Sequence, residues 1–196
     1  MIFKTVIKWA WIGLALLVLP VGVRSARAET VYYTPRSVLT DFFPRSETVR
    51  FQRFLISMPM RERLSQRLGY QPKRDSYVFY VATTGGHVDG YALIDEELGQ
   101  TEPITFAVKL SPDGTVERTE VMIYREPRGD DVRCRRFLDQ MRGKTVRQPV
   151  RDGVDIDAVS GATISSHSLA TGVRRALLLF DELVARSRET ARADAR

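Results

Sequence analysis

Apolar residues along the chain switch between a continuous run, strand-like clusters and a three-and-four spacing, and each switch predicts an element. Residues 9–23 form an apolar run of about 15 positions behind Lys4 and Lys8. Residues 29–35 read as an extended lead-in. Ser37 is expected to cap a short helix over 38–43, which Pro44 stops. Pro59 in its first turn and Gly69 at its end place a second helix over 60–68. The middle of the chain is β-prone. Tyr77-Val78-Phe79-Tyr80-Val81-Ala82 predicts a strand, Gly85-Gly86 a turn, and 88–94 the returning strand of a hairpin. Strands follow at 103–110 and 115–124, joined by the turn residues Ser111-Pro112-Asp113-Gly114. A helix is expected over 132–141, stopped by Gly143, and then a polar segment over 144–164. Leu169, Val173, Ala176, Leu177, Phe180 and Val184 mark one apolar stripe on a last helix. The fold class is α+β: an antiparallel sheet of about four or more strands with helices packed on it.

The N-terminal run changes the picture of where the chain works. Ala26-Arg27-Ala28 supplies the small-x-small pattern of a cleavage site, so 1–28 reads as a signal peptide or a retained membrane anchor. In either case the rest is expected to be exported, into the periplasm or onto the outer face of the inner membrane. No Cys lies in this region, which excludes a lipoprotein anchor. The net charge of +6 points at first to nucleic acid. Residues 1–28 carry four basic and no acidic residues, and the remainder holds 26 basic against 24 acidic. Those charges are interspersed, the pattern of a solvated surface, and no nucleic-acid partner is expected.

Cys134 is the single cysteine, so no internal disulfide forms, and it reads as a half-buried helix residue. With only His87 and His167 and no C-x-x-C, neither a zinc site nor a c-type haem is expected. A hydrolase built on Ser160 or Ser166 lacks a Gly-x-Ser-x-Gly elbow. His167 directly follows Ser166, and neighbours on a helix do not face each other.

The chemistry concentrates in Asp157-Ala158-Val159-Ser160-Gly161-Ala162-Thr163-Ile164-Ser165-Ser166, immediately before the last helix. Gly161 and Ala162 allow close backbone approach, and a helix N-terminus offers unpaired N–H groups to an anion. A plain helix start, with Ser165 or Ser166 as N-cap, accounts for the same residues. The pattern Asp157-x-x-Ser160-Gly161-Ala162-Thr163 resembles the Asp-x-x-(Ser/Thr)-Gly-Ala-Thr motif of the FMN-binding domain family. That family includes the G subunit of the Rnf electron-transport complex and the C subunit of the sodium-pumping NADH:quinone oxidoreductase. The order of elements from about 75 to 185 is similar as well, including Tyr124-Arg125-Glu126-Pro127.

The resemblance implies FMN held covalently on Thr163 through a phosphoester, installed from FAD by a flavin transferase with a divalent metal. Asp157, Ser160, Gly161 and Ala162 match the motif, and Ser165 and Ser166 add hydroxyls. Glu102, Pro103, Thr105 and Glu126 become candidates for the flavin ring's surroundings, by layout alone. The domains then read as 1–28 targeting segment, 29–74 helical lead-in, 75–187 FMN-binding domain and 188–196 frayed tail. The implied function is an electron-transfer flavoprotein, or a subunit of an oxidoreductase complex, rather than a stand-alone enzyme. It would relay electrons between membrane or periplasmic redox partners. The alternative is a docking or regulatory module of the same fold, without cofactor or holding FMN loosely.

Overall fold

The computed structural model describes residues 29–72 and 74–187. The targeting segment expected over 1–28 and the tail over 188–196 lie outside the described residues. Strands β1 (Thr30–Val31), β2 (Thr48–Leu55), β3 (Ser76–Thr84), β4 (His87–Leu98), β5 (Pro103–Leu110) and β6 (Val116–Tyr124) form one sheet in the order β1-β6-β5-β4-β3-β2. All neighbours are antiparallel. The predicted hairpins are present: Thr84 pairs with His87 across Gly85-Gly86, and Leu110 with Val116 across the turn at 111–114.

The lead-in at 29–74 is not only helical. It contributes β1 and β2, which close the two edges of the sheet. β2 escaped the pattern because Arg50, Gln52 and Arg53 interrupt its apolar residues. As an edge strand it stays largely exposed, with no buried face to enforce alternation. Helix α1 (Pro35–Phe42) starts earlier than expected. Its N-cap is Thr34, and Ser37 is the N3 partner in a reciprocal capping box. Helix α2 (Met58–Leu68) ends at Gly69 as expected. The single helix predicted over 132–141 is three short pieces: a 3₁₀ turn at Asp130–Arg133, helix α3 (Arg135–Leu138) and a 3₁₀ turn at Asp139–Met141. Cys134 caps α3 and is exposed, not half-buried. Helix α4 (Thr163–Leu179) runs on into a π-helical turn at Phe180–Ala185. Among the described residues no helix is long and apolar enough to cross a membrane.

Alternation along the strands sends side chains to two different layers. Tyr77, Phe79, Tyr91, Leu93, Phe106 and Val108 join α4 in the larger core. On the opposite face Ala82, Ala92 and Ala107 leave a shallow bed for Val38 and Phe42 of α1.

α4 lies across β4 and β5 at a fixed height. Gly172 presses on the ring of Phe106, and a Cβ there would collide with the ring. Three residues on, the buried Arg175 donates to Asp95 Oδ2 at 2.9 Å, to the Glu96 carbonyl at 2.7 Å, and to Glu97. Asp95 is itself buried, and Arg74 is its second partner at 2.7 Å. Burial acts to lower the Arg175 pKa, but Asp95 and Glu97 outweigh it and drive it above the ordinary arginine value. Gly172→Ala is expected to destabilise the fold by about 1–3 kcal/mol through overpacking. A denaturant midpoint equal to that of the parent chain would show that the helix has room to lift.

Candidate functional site

The polar segment before α4 is held by side-chain clasps onto backbone. The Asp155 carboxylate accepts from the N–H of Arg151 at 2.8 Å and of Val150 at 3.2 Å, and pairs with Lys144 at 2.8 Å. Val150 is thereby kept at φ 44°, unusual for a β-branched residue. Gln140 then grips the backbone of Asp157: its amide donates to the Asp157 carbonyl at 3.0 Å and accepts from the Asp157 N–H at 2.8 Å. The Asp157 side chain is exposed and stands at the entry of the loop.

Within the motif the hydroxyls divide into two groups. Ser166 is fully buried and closes the loop on itself, accepting from the Val159 N–H at 3.0 Å and donating to the Ala162 carbonyl at 2.9 Å. Ser165 is buried against Tyr124, 2.8 Å from its hydroxyl. The Tyr124 proton goes to the Arg128 carbonyl at 2.6 Å, so Ser165 is the donor of that pair. Burial raises the Tyr124 pKa, with Ser165 opposing. Neither serine is the N-cap; that position is Ala162, and the helix begins at Thr163. Ser160 and Thr163, in contrast, are exposed.

Thr163 therefore stands at the first helical position, on a helix whose first turn contains no acidic residue. The N–H groups of Thr163, Ile164 and Ser165 precede the first intrahelical bond, which Ser166 N makes to the Ala162 carbonyl at 2.8 Å. Gly161 adopts φ +80° with nothing within 4 Å of where a Cβ would be. A left-handed turn beside open space brings the backbone to the edge of a cavity of about 310 Å³. Gly161, Ala162, Thr163 and Ser165 line one side, and Glu126, Arg128 and Gly129 the other. Gly129 (φ +88°) lets the two walls meet, because a Cβ there would fall 2.8 Å from the Tyr124 hydroxyl and 3.4 Å from Ser165 Oγ.

Of the residues chosen by layout, Glu126 reaches this cavity, but its carboxylate is engaged. It accepts from the N–H of Thr101 at 2.5 Å and of Glu102 at 2.8 Å, and from the Thr101 hydroxyl at 3.0 Å, so it shapes the turn before β5. Pro103 lines a separate cleft with Arg175. Thr105 joins Glu96 at 2.8 Å and Arg125 at 2.9 Å, while its neighbours Ile104 and Phe106 point into the larger core under α4. The sheet thus turns Thr105 away from the Thr163 loop. Arg128 and Gly129 were not singled out by sequence, and Tyr124 only as part of the Tyr124-Arg125-Glu126-Pro127 likeness. The available signal was Gly129, a residue suited to a left-handed turn, directly after the strand that ends at Tyr124.

Burial acts to raise the Asp155 pKa, but Lys144 and the two N–H donors hold it below the ordinary value. A lowered folded-state value means that its stabilisation is present above about pH 4 and lost as pH falls through the folded value. Asp155→Asn is expected to cost about 1–2 kcal/mol at pH 7, and the gap to the parent should shrink under acid. Urea midpoints at neutral and acidic pH measure this; a gap independent of pH would rule out the charged clasp.

Comparison with known proteins bears on this part of the chain. No curated protein matches it. NqrC of Shewanella oneidensis is similar in structure at 16% identity, covering 72% of this chain and 84% of that one, with a TM-score of 0.48. The corresponding component of the Na(+)-translocating NADH-quinone reductase of Parabacteroides distasonis gives 17% identity, 64% and 77% coverage, and a TM-score of 0.39. A family model does match, that of the FMN-binding domain, over residues 99–178. That match spans β5, β6, the clasped loop and the helix beginning at Thr163, so this stretch is similar to the FMN-binding domain.

Proposed function

We propose that this chain is an exported electron carrier with FMN esterified to Thr163. The observation that carries the reading is the placement of Thr163: exposed, at the first position of a 17-residue helix, on the wall of a cavity beside an open glycine turn. A hydroxyl modified by a separate enzyme must be reachable, and Thr163 is, whereas Ser165 and Ser166 are committed inward. The cavity suits a phosphate. The first turn of the helix, with its N–H groups and the positive end of its dipole, forms part of its lining, and Arg128 lines it as well. Gly161 leaves the space that a bulky ester requires.

In this reading Thr163 Oγ attacks the FMN phosphorus of FAD, the pyrophosphate bond breaks and AMP leaves; the flavin transferase supplies the divalent metal and the base that takes the hydroxyl proton, and the new phosphoester holds FMN at the helix start. Bound flavin supplies the redox chemistry, and the protein supplies position and electrostatics. Arg128 and the first-turn N–H groups hold the phosphate, Ser166 and Tyr124 keep the loop rigid, and Asp157 at the loop entry is available to the transferase. A covalent bond suits a carrier outside the cytoplasm, where lost flavin is not readily replaced. The partners proposed are membrane or periplasmic redox proteins, with residues 1–28 as export signal or anchor.

Co-expression with a flavin transferase, followed by intact-mass measurement, tests this. The expected result is a gain of one FMN less a water, absent in Thr163→Val while that variant keeps the parent's stability. An unmodified mass beside a demonstrably active transferase would favour the cofactor-free or loosely binding docking module instead.

A further inference from the structure

The outer side of α4 continues from Thr163 into a second feature. His167 lies one turn on, and Thr171 and Arg174 follow along the helix at spacings of four and three. Opposite them the segment at 146–152 and the end of α2 close a cleft of about 700 Å³. Its charge is one-sided. Arg147, Arg151 and Arg174 line it together with one carboxylate, Asp152, and neutral polar groups. Arg67 also borders it but is neutralised by Asp181 at 2.6 Å. Among the described residues no carboxylate pairs with Arg147, Arg151 or Arg174.

The wall is built, not incidental. Arg174 donates to the Pro149 carbonyl, fixing the loop to the helix, and pairs with no carboxylate among the described residues. Asp155 and Lys144 hold Val150 at φ 44°, and this left-handed step sets the direction in which Arg151 leaves the loop.

We infer that this cleft is a docking surface for an acidic protein segment, and that it brings a partner to the helix face that begins at Thr163. Three guanidiniums in a concave site favour protruding carboxylates, which steer association and set register. Concavity argues against a flat bilayer, which cannot enter between α2 and the 146–152 loop. The inference takes from the proposed function only the role of Thr163 as the redox position; the charge complementarity stands without flavin.

The test uses the full chain and a fluorescein-labelled Glu-rich peptide as probe, read by anisotropy. Arg147→Glu/Arg151→Glu is compared with Arg50→Glu/Arg53→Glu, which makes the same charge change on exposed strand β2. At low ionic strength the cleft variant should weaken binding at least about tenfold and the control less than about twofold. Arg147→Gln/Arg151→Gln should fall between parent and charge reversal, and circular dichroism verifies that each variant folds. Equal losses in cleft and control variants would reduce the effect to net charge and overturn the proposal. So would phosphatidylglycerol vesicles binding with the same dependence on Arg147 and Arg151 while the peptide does not bind. Because the assay needs no flavin, its failure is separate from a failure of Thr163 to be modified.

Discussion

The position of α4 on the sheet is the constraint from which the rest follows. A guanidinium buried as deeply as Arg175 is tolerable only with its partners in place, since an uncompensated buried charge costs several kcal/mol. Asp95, Glu97 and the Glu96 carbonyl sit on one strand, so satisfying them fixes the rotation of the helix. Gly172 against Phe106 fixes its height. With both set, the helix start has one place to be. Ser168 donates to the Leu98 carbonyl at 2.6 Å and ties that end down as well. The place of Thr163 at the tip of the helix is thus controlled by contacts two and three turns away.

The loop that feeds the helix follows a similar economy of hydrogen bonds. Buried hydroxyls need partners, and Ser165 and Ser166 find theirs inside the fold. Thr163, at the first helical position, is left facing outward. Four neighbouring hydroxyl residues therefore do different work according to their place in the first turn, although the sequence presents them as alike.

That difference marks how far sequence reading reached. The central strands were legible because their apolar runs are long and bounded by Gly85-Gly86 and by Ser111-Pro112-Asp113-Gly114. The stripe from Leu169 to Val184 gave α4 its buried face. β2 was not legible, since an edge strand with Arg50 and Arg53 has no alternation to display. The 3₁₀ pieces around α3 were not, because apolar spacing does not separate one short helix from three turns. At the site, the motif located the loop, but the opposing wall of Arg128 and Gly129 depends on how β6 exits the sheet. Glu126 and Thr105 show what layout does not carry: hydrogen bonds to the 101–102 turn hold the Glu126 carboxylate at the cavity, and strand parity sets the face on which Thr105 lies.

The two edges of the sheet bear on how the molecule behaves in company. β1 is only two residues long, while β2 offers eight, with no further strand beside it among the described residues. If two copies met along β2, antiparallel and centred between Phe51 and Gln52, each Arg50 would lie opposite an Arg53. Like charges directly across a pairing are unfavourable, and edge charges are a recognised guard against sheet extension. In that register the strand therefore opposes its own extension by a second copy. Because exposed charges are screened by salt, that opposition weakens as ionic strength rises.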